Sequence, residues 1–199
     1  AAWRISQESF MAGTRSYLDD LKIRASWGQT GSATGLGLYP SYTLISTGGL
    51  ILNNSYQQIA SLKTIGNQDL TWEHSDMLNF GVDVKMLNSR LNFTGEYYIK
   101  NTKNSLAQIT LAPSVGFASY PENMGNLETK GVELNFSFIP YRNLDKDAYW
   151  MITVNGSHNE EKLKKISDAL RHMNELNTSN EKDKPLPMYE EGESQTRIW

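Results

Sequence analysis

Cysteine is absent from the 199 residues, which removes disulfides and thiolate metal sites and suits a compartment where free thiols would oxidise. Long hydrophobic runs are absent too. No stretch of about 18 consecutive apolar residues occurs, so no transmembrane helix can be drawn, and no basic-apolar-small leader opens the chain. The opening therefore reads as cut. Histidine is scarce: His74, His158 and His172 stand far apart without ligand spacing, so neither a metal site nor a cofactor is expected. Nineteen Lys and Arg against 22 Asp and Glu, scattered rather than clustered, leave a net charge of -3 and no basic footprint, which excludes nucleic acid as a partner.

What the chain has instead is aromatic surface. Aromatics reach 11%, with ten Tyr and five Trp, although mean hydropathy is -0.51. Apolar side chains recur with a period of two, the signature of a strand with one greasy and one polar face. Leu21, Ile23, Ala25 and Trp27 alternate with Lys22, Arg24, Ser26 and Gly28. Leu78, Phe80, Val82, Val84 and Met86 alternate with Asn79, Gly81, Asp83 and Lys85, and Leu91, Phe93, Tyr97 and Ile99 with Asn92, Thr94, Glu96 and Lys100. A two-residue turn at Asn88-Ser89 would set Met86 opposite Leu91, Val84 opposite Phe93, Phe80 opposite Tyr97 and Leu78 opposite Ile99. A slip of one residue would set greasy against polar on both faces. Val132 to Phe138 and Trp150 to Val154 repeat the pattern, and Trp3 and Ile5 hint at a further strand.

These signals predict an all-β, antiparallel chain with strands near 3–10, 21–30, 72–87, 90–104, 130–139 and 149–158. Long loops are expected near 31–70, 107–123 and 160–193, and short connections near Asp19-Asp20, Asn88-Ser89 and Tyr141 to Asp147. Tight turns at one end and long loops at the other are the habit of outer-membrane β-barrels. Nine greasy-patterned residues at roughly 3.3 Å each, tilted by about 40°, cover on the order of 23 Å, against an apolar band of about 25 Å. Trp72 and Tyr98 near the upper ends, and Tyr141, Tyr149 and Trp150 near the lower, would form interfacial girdles. The alternation also permits a water-soluble β-sandwich, a secreted or surface glycan-binding or adhesive module without transport activity.

Sites of chemistry are lacking. Gly31 to Gly37 opens no helix and carries no Lys-Ser/Thr pair, so it reads as an outer loop, not a phosphate cradle. Asp83, Glu96 and Glu133 fall on the polar face, where a glycosidase would need two carboxylates at a set separation; in a barrel they line the lumen. Tyr98 and Lys100 share that face and complete the substrate-facing candidates. No catalytic residue is assigned and no enzyme is expected. Leu163, Ile166, Leu170, Met173 and Leu176 recur at helical spacing, which predicts an amphipathic helix packed on the barrel rim or on a partner. Tyr42, Tyr56 and Tyr120 in the long loops could stack on sugars or pack the loops.

Several phrases resemble SusC/RagA-type TonB-dependent transporters. Leu21-Lys22-Ile23-Arg24-Ala25-Ser26-Trp27-Gly28-Gln29-Thr30-Gly31 is similar to the family's LKLRASYGxTG, and Asn67-Gln68-Asp69-Leu70-Thr71-Trp72-Glu73 to its NPDLKWE. The likeness continues through Asn79 to Asp83, Asn88 to Leu91, Tyr97 to Lys103 and Asn123 to Leu134, covering most of residues 3 to 160. Gln68 stands where the family usually has Pro, and Leu163 to Asn177 and the tail match less well. The resemblance implies a barrel of 22 strands filled by an N-terminal plug, of which residues 1–199 supply about seven strands and no plug. It further implies the outer membrane of a Gram-negative bacterium, with lipid against the outer wall. Import would be energy-coupled through TonB, which engages the missing plug region, and a SusD-like surface lipoprotein would close the mouth over an oligosaccharide or peptide substrate.

Overall fold

A computed structural model describes residues 1–34, 37–111, 113–143, 145–146, 148–180 and 188–194. Eight strands occur among them: β1 (Ala2–Arg4), β2 (Leu18–Ser32), β3 (Leu44–Leu52), β4 (Ser55–Thr64), β5 (Glu73–Met86), β6 (Leu91–Thr110), β7 (Ser119–Asn143) and β8 (Ala148–Ile166), followed by helix α1 (Asp168–Asn180). Six form one antiparallel sheet in the order β1-β2-β5-β6-β7-β8, and β3 and β4 make a separate hairpin. The order follows the chain, as in an up-and-down barrel wall.

The alternation dictates the register. Met86 faces Leu91, Val84 faces Phe93, Phe80 faces Tyr97 and Leu78 faces Ile99. Between them Asn88 and Ser89 both take left-handed φ angles of 56° and 59°, and Arg90 N–H donates to Leu87 O at 3.3 Å. Left-handed φ at the two central residues is what a I′ turn requires, and Asn88 meets it at low cost, while Leu87, with φ of 60°, extends the left-handed run one residue ahead of the turn. The same matching propagates across the sheet. Leu21, Val84, Phe93, Phe136 and Val154 form one unbroken row over five strands, and Ala25, Phe80, Tyr97 and Val132 form another farther along the same face.

Nothing in the described residues covers this greasy face. Phe80 is 47% exposed, Val154 58% and Trp27 70%, and buried apolar side chains are confined to Leu18, Leu163, Ile166 and Leu170. The accessible surface is 14194 Å², where a compact soluble chain of this mass would show about 9,500 Å². A sandwich would have put a second sheet over Phe80. The two-layer alternative is therefore set aside in favour of a single sheet whose apolar side is open, and no helix among the described residues is long and apolar enough to cross a membrane.

Several boundaries differ from the sequence expectation. Only Ala2–Arg4 of residues 3–10 is strand; Ile5–Gln7 and Ser9–Thr14 are 3-10 turns. They close on local bonds, Glu8 N–H to Ile5 O at 3.0 Å and Ser6 Oγ to Asp20 Oδ1 at 2.9 Å. Asp19 and Asp20 are not a turn. They lie inside β2 at a register shift, where Asp20 pairs with Arg4 at 3.3 Å and Asp19 Oδ2 accepts Ser89 N–H at 2.7 Å, clamping the tight-turn end. The region 31–70 contains the β3–β4 hairpin, turned at Asn53 and Asn54 with φ of 49° and 62°. Both of its faces mix apolar and polar residues, so no phase was readable. Region 107–123 is mostly ladder, Ala107 facing Glu122 and Thr110 facing Ser119. Above the lipid the outer face meets water, and alternation ends although backbone pairing continues.

The helix starts later than its apolar spacing implied. Leu163 and Ile166 end β8, and Ser167 caps α1 by accepting Leu170 N–H at 3.3 Å. Leu170 then closes a small core with Leu163 and Ile166, lined by Met124, Leu127, Met173 and Tyr189, so α1 packs on the rim. Asn174 holds the returning segment through Tyr189 O at 2.6 Å and Tyr189 N–H at 3.0 Å. The side chain of Leu176, like Asp147 and Trp199, lies outside the described residues.

The phrase from Gly66 to Glu73 owes its composition to a clasp at this rim. Asn67 is buried and donates to Pro121 O at 2.9 Å, while its Oδ1 accepts Asp69 N–H at 2.9 Å. Asn123 Oδ1 accepts Thr71 N–H at 2.9 Å, and its Nδ2 donates to Thr71 O at 2.9 Å and Asn104 O at 2.8 Å. Glu73 Oε2 accepts Leu106 N–H at 3.1 Å. Together these tie the base of the β3–β4 loop to β6 and β7. Asn123→Ala removes these three bonds and a fourth, from Thr71 Oγ1 at 3.2 Å, at a partly exposed site, so the loop should open about 1–2 kcal/mol more readily. Limited proteolysis of residues 37–65 in the full-length parent protein should speed by roughly tenfold, and an unchanged rate would show that the clasp does not hold the loop.

Candidate functional site

The five residues expected on the polar face do share it. Strand pairing sets Asp83 beside Thr94 and Lys22, Glu96 between Gly81 and Glu133, Tyr98 between Asn79 and Gly131, and Lys100 between Met77 and Thr129. Tyr98 therefore belongs to this face and not to an outer girdle, and Trp72 precedes β5 and is exposed. Tyr141 and Trp150 pair directly at the tight-turn end, both exposed, as girdle residues would.

The organising residue is Arg24, which sequence reading treated as one polar position among many. Its Nη1 lies 2.7 Å from Glu96 Oε1, its Nη2 donates to Asp83 Oδ1 at 3.2 Å, and its Nε sits 2.9 Å from Asp83 Oδ2 in an ionic contact without hydrogen-bond alignment. Lys22 adds a second cation 3.6 Å from Asp83. To reach Glu96 from β2 the guanidinium must cross β5, and it crosses at Gly81, where an added Cβ would stand 2.9 Å from Nη2. A Gly inside a strand marks close approach, and that was the available clue. Gly131 does the same for Tyr98, whose ring occupies the space a Cβ would need.

Two cations thus balance two carboxylates, and Glu133 and Lys100 remain. Glu133 directly faces Glu96, and neither it nor Lys100 has a hydrogen-bond or ion-pair partner among the described residues. Beside Glu133 an open concavity of about 400 Å³ is lined by Thr94, Glu96, Asn135, Asn155 and Ser157. Asn135 Nδ2 donates to Asn155 Oδ1 at 2.8 Å, which leaves an array of hydroxyl, amide and carboxylate groups able to bind sugar hydroxyls or peptide amides. In the loops, Tyr56 lies over Gly49 and, with Tyr42, is exposed, whereas Tyr120 is half-buried and burial pushes its phenol up. Burial likewise raises Glu122 above the ordinary carboxylate range. Among the described residues no group of three His, Asp or Glu is placed to hold a metal.

Comparison with known proteins decides the family. The family model described as "TonB dependent receptor-like, beta-barrel" matches residues 5–188. The chain belongs to the TonB-dependent receptor β-barrel family. TonB-dependent receptor P39 of Formosa agariphila is 31% identical over 166 residues, 83% of this chain and 15% of that protein. TonB-dependent receptor SusC of Bacteroides thetaiotaomicron is 27% identical over 83% of this chain and 17% of its own length. The solved RagAB peptide transporter superposes with a TM-score of 0.72 at 26% identity, covering 84% of this chain and 18% of that one. The TonB-dependent receptor segment therefore spans about one-sixth of the length of these relatives, and it is an outer-membrane β-barrel segment of a Gram-negative bacterium.

Proposed function

We propose that this TonB-dependent receptor segment is part of the wall of an energy-coupled importer that carries an oligosaccharide, or a short peptide, across the outer membrane. No bond is made or broken by these residues. The observation that carries the reading is the single sheet with uninterrupted apolar rows on one side and the Arg24-centred polar face on the other. Lipid covers the first, and the second lines a wet lumen past which substrate moves. TonB acts through a plug supplied by other residues of the parent protein, and a SusD-like lipoprotein closes the mouth near the β3–β4 hairpin and α1. The names of the SusC and RagAB relatives support this assignment.

Glu133 is the sharpest probe, because Glu96 is gripped by Arg24 and its reversal would disturb the wall itself. In the full-length parent transporter, Glu133→Arg should change uptake of its labelled oligosaccharide or peptide on the order of tenfold, the effect of one charge interaction of about 1.4 kcal/mol at several Å in partly wet surroundings. Membrane assembly should remain normal. Uptake of both substrate classes untouched by Glu133→Arg, Tyr98→Ala and Lys100→Glu alike would sink the lumenal role.

A further inference from the structure

One ring on the polar face lies flat because the neighbouring strand leaves it a seat. Tyr98 of β6 pairs with Gly131 of β7, and a Cβ built on that glycine would meet Cζ of the tyrosine first, then Oη and Cε1. Cζ is bonded to both. From any point in the ring plane one of its neighbours would stand closer, so the glycine lies under the face of the ring and not at its edge. Tyr98 is accordingly half-buried, one face resting on β7 and the other turned away from the sheet. Asn79 and Asn159 flank it in the same row, on β5 and β8. Glu133 stands two residues from Gly131, roughly 6.6 Å along β7, at the edge of the concavity lined by Thr94, Asn135, Asn155 and Ser157. Asn159, Ser157, Thr94 and Glu133 make no side-chain hydrogen bond among the described residues, so their donors and acceptors are uncommitted.

We propose that Tyr98 is the stacking platform of a sugar subsite in the barrel wall, seating one pyranose ring of a neutral oligosaccharide on its open face. Glu133, Asn79 and Asn159 take the hydroxyls of that ring, and a carboxylate can accept from two adjacent hydroxyls at once. The alternative, an extended peptide, is recognised chiefly through free backbone groups of a strand edge. Here β6 and β7 are paired on both sides and offer none. An acidic sugar is disfavoured too, because Lys100 shares its row with Glu161 across Thr129 and Glu133 stands on the other side of Tyr98. Gly131 is a positioning residue, since its missing Cβ is what lets the ring lie down. The inference rests on the lumenal orientation of this face in the transport reading and narrows the substrate to a glycan.

The test titrates the full-length parent transporter in detergent with neutral hexasaccharides of gluco, galacto, manno and xylo configuration, and with a neutral hexapeptide of alanine and serine. At least one hexasaccharide should bind. Tyr98→Ala should weaken it by about tenfold, whereas Tyr98→Phe, which keeps the ring face, should stay within about twofold of the parent. Gly131→Ala keeps the tyrosine but lifts it from its seat, and should weaken binding as Tyr98→Ala does; Glu133→Gln should cost about tenfold through its lost charged acceptor. Should Tyr98→Ala fail to assemble, these last two variants carry the test. Unchanged affinity in Gly131→Ala and Tyr98→Ala would overturn the subsite, as would a loss in Tyr98→Phe equal to that in Tyr98→Ala, or binding of none of the hexasaccharides. Uptake of the same probes by cells separates the two readings: import of the hexapeptide alone overturns the sugar subsite and leaves transport standing, whereas import of neither class overturns both.

Discussion

Val84→Arg should abolish most assembly of the full-length barrel, whereas Asn135→Arg, on the opposite face, should be tolerated. Val84 lies in the row Leu21, Val84, Phe93, Phe136 and Val154, at the middle of the apolar rows. An arginine on the lipid face near the bilayer midplane costs about 2–4 kcal/mol, which changes the folded-to-unfolded ratio by roughly 30-fold to 1,000-fold. Asn135 faces Thr94 and Asn155 beside the open concavity, where a long cation can reach water and Glu133 offers a counter-charge. The measurement is the denaturant midpoint of the parent protein in liposomes, together with the folded fraction recovered from outer membranes. Equal losses in the two variants would mean that the sheet has no lipid side, and with it would go the membrane reading.

That contrast was legible in the sequence because lipid imposes a rule on every second residue. Where the rule operates, from Leu78 to Met86 and Leu91 to Ile99, the residues alone determine pairing, face and turn. Where it stops, legibility stops. Residues 105–110 and 119–125 stay hydrogen-bonded beyond the membrane but carry no alternation, and the β3–β4 hairpin mixes both kinds of side chain on both faces. The candidate site was half readable. Alternation placed Asp83, Glu96, Tyr98, Lys100 and Glu133 on one face, yet it could not reveal that Arg24 joins Asp83 to Glu96 across an intervening strand. That fact depends on which strands are neighbours and on Gly81 leaving room, both properties of the sheet and not of any one segment. The rim clasp was hidden for the same reason: Asn67 reaches Pro121, and Asn123 reaches Thr71 and Asn104, across long stretches of chain that only the ladder brings together.

Glycine supplies the last and most local expectation. Gly125 has φ of 140°, stands where β6 shifts register and faces Ile166 at the end of β8. A Cβ there would overlap the Lys165 carbonyl oxygen and lie 2.9 Å from its carbon and 3.0 Å from Ile166 Cα. Gly125→Ala must therefore adopt a backbone conformation that L residues avoid and also displace the backbone of β8, at a combined cost of about 3 kcal/mol or more. The strain falls on the end of β8 that carries Leu163, Ile166 and, through Ser167, helix α1. In the full-length protein, hydrogen exchange over residues 160–180 should accelerate on the order of a hundredfold while the amides of β5 and the lower half of β6 stay protected. Gly156→Ala is the matched control, because its Cβ would meet nothing within 4 Å, and it should leave exchange within about twofold of the parent. If Gly125→Ala behaves like Gly156→Ala, the rim does not depend on that close approach, and the packing of α1 must be held by other contacts.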